Sequence, residues 1–210
     1  SQRMHEQQQP VVCQSCRRHG KIGRPLARHR CRQRQRQQGD RRANGQPPLT
    51  ARLCRLGIVA ILMHDTGYLK RRDDLEGTGA KYTATHVHRS TEFAAQLLSE
   101  KGFSKPDIVA VQNMIHCTGV DAELCNIRFQ DPLETMVGHA LATGDLLGQM
   151  AADDYTDKLD ILYGEFAEAV LHDGGNTDVI GNFADAPDLI RRTPAFWRGY
   201  VLPKLDRELG

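Results

Sequence analysis

Thr50 to Tyr68 reads TARLCRLGIVAILMHDTGY. Leu53, Leu56, Ile58, Val59, Ile61, Leu62 and Met63 fall on nearly all sides of a 3.6-residue repeat, the pattern of a central buried helix rather than one laid on a surface. Asp65-Thr66-Gly67 ends it. Leu56 to Met63 is the longest apolar run in the chain. It is far short of the ~20 residues that cross a bilayer, so the sequence predicts a soluble protein with no membrane partner.

Downstream, the chain reads as further helices with short connections. A polar loop with Gly77 and Gly79 runs to about Ala84, and Arg89 to Lys101 then places Phe93, Leu97 and Leu98 on one face before Gly102 stops the helix. Ser104-Lys105-Pro106-Asp107 is a start signal, with Ser as N-cap, Pro in the first turn and an acid three residues after the cap. Ile108, Val111, Met114 and Ile115 follow at helical spacing. Asp131-Pro132-Leu133-Glu134 opens another helix, whose apolar face is Met136, Val137, Leu141, Leu146, Leu147 and Met150. Thr156 to His172 and Pro187 to Leu209 add two more. No alternating run is long enough for a sheet, so the expected fold is an all-α, compact helical bundle.

Upstream, the composition changes character. The chain's 210 residues carry a net charge of +2, but residues 1–55 hold 14 Lys and Arg against Glu6 and Asp40, a net +12. Residues 56–210 hold 14 against 24 acids, a net −10. The first segment has ten Gln and no Phe, Trp or Tyr, too little apolar surface to offset the entropy of ordering its backbone. Two units are expected: a basic, Arg/Gln-rich, mostly disordered arm over residues 1–49 and a folded domain over residues 50–210.

Three readings of the arm stand side by side. Its arginines could displace counterions from a nucleic acid, although no aromatic is interleaved for base stacking. Cys13-x-x-Cys16 with His19, His29 and Cys31 has zinc-ligand chemistry but lacks the usual spacing in its second half. The run RHRCRQRQRQQGDRR, Arg28 to Arg42, also resembles GC-rich coding sequence translated in a shifted frame. The six cysteines at 13, 16, 31, 54, 117 and 125 form no even framework, and no ~7–15 residue apolar segment marks a secretory signal, so a reducing cytoplasm is expected. Cys54, Cys117 and Cys125 sit in or beside apolar helical patterns and are expected to be small core residues.

The sharpest chemical feature is His64-Asp65 at the end of an apolar helix. An imidazole beside a carboxylate is costly to desolvate, and a metal ion makes the pairing favourable. His86, His116 and Asp145 lie on or next to other apolar segments. Asp145 falls between Leu141 and Leu146 and so cannot be far from a buried face; the competing reading is a salt bridge to an arginine. Imidazole and carboxylate together suit Mn, Fe, Ni, Co or Zn better than Ca. His88 is read as exposed or supporting, and His139 as structural.

Taken in order, Leu62-Met63-His64-Asp65-Thr66-Gly67-Tyr68, His86-x-x-x-Ser90, Ile115-His116 and Gly144-Asp145-Leu146-Leu147 resemble the HD-domain superfamily of metal-dependent phosphohydrolases. The resemblance covers about residues 50–172. It implies that His64, Asp65 and Asp145 bind one ion and that His86 and His116 bind a second, with Asp65 bridging. It also implies a further histidine about 30 to 35 residues before the pair; His29 lies 35 residues upstream, but in the Arg/Gln arm and not on an apolar helix.

Two such ions clamp a phosphoryl group and activate water. Asp65 is then catalytic as well as a ligand, and Arg89, Lys81 and Lys70 are the candidate phosphate-binding cations, with Arg89 one turn beyond His86 the best placed. Arg71 and Arg72 are read as surface charge. The domain's negative charge disfavours polyanions, which points to small phosphomonoesters or phosphodiesters, cyclic nucleotides included. The same ligand plan serves di-iron oxygenases of the HD type, and a non-catalytic nucleotide-binding domain is the third alternative. Phe196 to Leu202 reads as a pocket wall or a homodimer interface.

Overall fold

The computed structural model describes residues 49–175 and 182–209. The arm, with His29 and the Cys13, Cys16, His19 and Cys31 group, lies outside the described residues. The architecture is all-α: α1 Ala51–Met63, α2 His86–Glu100, α3 Lys105–His116, α4 Pro132–Met150, α5 Tyr155–His172 and α6 Ala186–Phe196. Short 3-10 turns at Thr66–Tyr68, Gly79–Tyr82 and Leu124–Asn126 join them. Among the described residues there is no strand, and no helix is long and apolar enough to cross a membrane.

The helix starts follow their capping chemistry. Thr50 accepts from the Leu53 amide at 3.2 Å, Ser104 from Asp107 at 3.3 Å and Asp131 from Leu133 at 2.7 Å, each satisfying an amide that the first turn leaves unpaired. Gly102 closes α2 at φ 77°, a conformation that glycine adopts without Cβ strain. Helix α2 begins at His86, three residues before the expected start at Arg89. That extension puts His86 on the first turn of the helix.

The core joins four helices. Leu53, Leu56, Ala60 and Met63 of α1 meet Ala94 and Leu98 of α2, Val111, Met114 and Ile115 of α3, and Leu133 and Leu141 of α4. Val111, Met114 and Ile115 have no exposed surface, and each such burial is worth about 1.5–3 kcal/mol. At the end of α1 away from His64, the Arg52 guanidinium bonds Asp107 at 2.6 Å and Glu134 at 3.3 Å, tying α1 to α3 and α4. A smaller cluster of Cys117, Leu124, Ala142 and Leu209 docks the C-terminus.

The C-terminal helix expected over Pro187 to Leu209 is continuous but changes pitch. After α6 it passes through π turns at Trp197–Val201 and Leu205–Leu209 around an α-helical Leu202–Lys204. Pro194 and Pro203 have no N–H to donate, and wider turns adjust the hydrogen bonding near them. Phe196 stacks on Tyr200, and the Tyr200 hydroxyl donates to the Val120 carbonyl at 2.9 Å. This segment therefore packs on the connection after α3.

Two expectations are corrected. Helix α1 is buried on one side only, with Ile58, Ile61 and Leu62 at 59%, 54% and 73% exposure; α2, α3 and α4 cover its other side. Cys54 and Cys125 are exposed, whereas Cys117 is buried, and burial pushes its thiol up to about 12. Cys54 faces the uncovered side of α1, and Cys125 lies in the turn after α3.

Candidate metal centre

Helix α1 ends at His64, and the chain turns sharply there. Thr66 Oγ1 donates to the Met63 carbonyl at 2.7 Å. The Gly67 amide donates to Ser90 Oγ at 2.8 Å, and Arg89 Nε donates to the Gly67 carbonyl at 2.7 Å. A Cβ on Gly67 would stand 1.9 Å from the carbonyl oxygen of His86, so only glycine permits this approach. The turn after α1 is thereby pressed onto the first turn of α2, which brings His86 against Asp65.

Four of the five expected ligands meet here. His64 Nε2 lies 3.2 Å from Asp65 Oδ2 and 3.5 Å from Asp145 Oδ1, and His86 Nε2 lies 3.9 Å from Asp65 Oδ1. Asp145 comes from the middle of α4, where Gln149 Nε2 also donates to Oδ1 at 3.3 Å. Its partners are thus an imidazole and an amide, where the competing reading placed an arginine. His64 Nδ1 lies 2.7 Å from the Ile61 carbonyl, and His86 Nδ1 lies 2.7 Å from the Thr83 carbonyl. A carbonyl can only accept, so each Nδ1 carries a hydrogen and each Nε2 is turned to the carboxylate side. Tyr68 stacks on the His86 ring at 4.4 Å between centroids, which fixes the ring plane.

The electrostatics follow from that crowding. The bonds to Asp145 and Asp65 push the pKa of His64 up to about 10. Burial alone would raise Asp65, but its hydrogen bond to His64 and the charges of His64 and His86 bring it below its ordinary value. The free carbonyls at the end of α1 add partial negative charge at the same place. A proton on His64 is thus held by two carboxylates. The same donors would suit a cation.

Two ligands ~2.1 Å from one tetrahedral ion stand about 3.4 Å apart, and the three N···O separations bracket that value. They do not close on a single point, however: among the described residues, no group of three or more His, Cys, Asp or Glu side chains is disposed to hold a metal ion. The donor types and the orientation of both imidazoles fit a metal, and closure needs side-chain adjustment.

His116, at the end of α3, shares no ion pair or hydrogen bond with these four among the described residues. Burial and the charge of His88 lower its pKa. His88 itself pairs with Glu92 at 3.3 Å and is exposed. The candidate phosphate cations are engaged elsewhere. Lys81 is buried, bonded to Asp74 and, at 2.7 Å, to the Glu76 carbonyl. Arg89 holds the Gly67 and Leu69 carbonyls and lies 3.6 Å over the Tyr82 ring. Lys70 donates to the Gly77 carbonyl at 2.6 Å. Their positions in a polar, glycine-bearing loop gave no hint that loop carbonyls and Asp74 would claim them.

No protein-family model, curated protein or solved structure matches this chain. The side chains at this corner carry the functional argument by themselves. Sequence reasoning assigned no role to Tyr68 or Ser90, although both stand in the quoted motifs; the i, i+4 spacing of His86 and Ser90 put both on one face of α2.

Proposed function

We propose that this protein is a metal-dependent phosphohydrolase acting on small phosphomonoesters or phosphodiesters. The observation that carries the reading is Asp65 lying between the Nε2 atoms of His64 and His86, with both Nδ1 atoms tied to carbonyls. His64, Asp65 and Asp145 would hold one divalent transition ion, and His86 would share Asp65 toward a second. Bound there, such an ion supplies the Lewis acidity that makes water a nucleophile near neutral pH.

The chain's own groups do the rest. Ile61 and Thr83 orient the imidazoles, and Tyr68 braces His86. Asp65, whose side chain is 53% exposed, accepts the proton of the attacking water at the carboxylate. Water's oxygen bonds to phosphorus as the P–O ester bond breaks, the electron pair leaves on the alcohol oxygen, and the proton is returned to that oxygen.

The test combines elemental analysis of the purified full chain with a Mn-supplemented panel of phosphoesters. His64→Ala, Asp65→Ala and Asp145→Ala are each expected to lose metal and turnover while circular dichroism shows helicity retained. Turnover that survives all three substitutions contradicts the assignment.

A further inference from the structure

We propose that the trough between α1 and α4 receives an alkyl chain of the substrate, so that the proposed phosphohydrolase acts on alkyl phosphoesters of low charge. The inference rests on the reading of the metal centre given above and names its substrate class. A cavity of about 460 Å³ has His64 and Asp145 at one end, and a second of about 400 Å³ continues from it to Leu49. Gly57, Ile61, Val137 and Ala140 line both, so the two are one trough. Its length follows α1 from Leu49 to His64, about 22 Å at 1.5 Å per residue.

The lining selects the ligand. Away from His64 and Asp145 the walls are aliphatic side chains and glycine, with the Cys54 thiol and Met136 thioether at the far end. Ile58 and Ile61 face this space while more than half exposed, surface that an alkyl chain would remove from water. The head of the ligand must carry little charge. Lys70, Lys81 and Arg89 are bonded to loop carbonyls and Asp74, and residues 56–210 carry a net −10. A polyphosphate would find those three cations already engaged and, from residues 56–210, an opposing field. A single phosphoester at the imidazole–carboxylate corner with its chain along the trough satisfies both ends.

The test uses the full chain and methyl, butyl and octyl phosphate below their micelle concentrations. Calorimetric titration of the metal-free protein and KM of the Mn-loaded protein are read together. Affinity is expected to rise up to about fourfold per methylene, and Ile58→Asp and, separately, Ala140→Asp are expected to flatten that dependence. Equal affinity for methyl and octyl phosphate overturns the proposal, as does a chain-length dependence that both variants retain. Absence of octyl phosphate binding where sedimentation shows a dimer also overturns it, since a second copy would then occupy the trough. Methyl phosphate separates the two readings: its hydrolysis without chain-length dependence sinks the trough alone. Chain-length-dependent binding without hydrolysis of any ester sinks the hydrolase alone.

Discussion

The cluster around Asp65 and the cluster around Asp74 lie nine residues apart in the chain, and they treat charge in opposite ways. Asp74 meets the Lys81 ammonium and, at 2.5 Å, the Tyr82 hydroxyl. One acid faces one base and one neutral donor, and these two partners hold its carboxyl at about 2. At the end of α1, Asp65 and Asp145 both lie against His64, and His86 approaches Asp65 from the other side. A proton on His64 is shared by two acids. Matched charge closes a loop, whereas the corner at the end of α1 sets two acids around one histidine.

The contrast is broken most severely at Gly67, whose turn supports both clusters. In Gly67→Ala the new methyl meets backbone, which cannot rotate away, so a loss of about 3 kcal/mol or more is expected. Urea unfolding followed by circular dichroism measures it, and a midpoint unchanged from wild type would show that the turn can move aside.

A pH series sharpens the comparison with a smaller effect. The folded-state pKa of His64, about 10, lies above its ordinary 6.5. Its contribution to the metal-free protein is therefore fully present below about pH 6.5 and is lost as pH rises through about 10. Because the pair is partly solvated, the loss should be on the order of 1–2 kcal/mol. The difference in urea midpoint between wild type and His64→Gln is expected to shrink across that window. A constant difference would mean that the carboxylates do not hold the proton.

The smallest change is expected in the loop. Lys81→Met leaves Asp74 with only the Tyr82 hydroxyl, and Tm should fall by a few degrees while metal uptake stays as in wild type. Lost metal uptake with unchanged Tm would reverse the roles given to the two clusters.

How much of this was legible in the sequence depends on the range of the signal. Caps at Ser104 and Asp131 act within three residues, and each was readable from its own side chain and the turn it opens. His64, Asp65, His86 and Asp145 were identifiable because titratable groups beside apolar stripes need partners. Which partners they find is a tertiary matter, and so the separation of His116 from the ion pairs of the other four was not visible. The open face of α1 escaped for the same reason: Ile58, Ile61 and Leu62 fit a helical apolar pattern, but a pattern does not say what stands opposite. The partners of Arg89 and Lys81 were not readable, because bonds to loop carbonyls leave no trace in residue type.

The most direct measurement is a titration of the metal-free full chain with Co(II), followed by visible absorption, in wild type and in the Asp65→Ala variant. Saturable uptake of roughly one to two ions per chain in wild type, abolished in the variant, is the predicted result. Equal uptake by both proteins, or none by either, would contradict a metal centre built on Asp65.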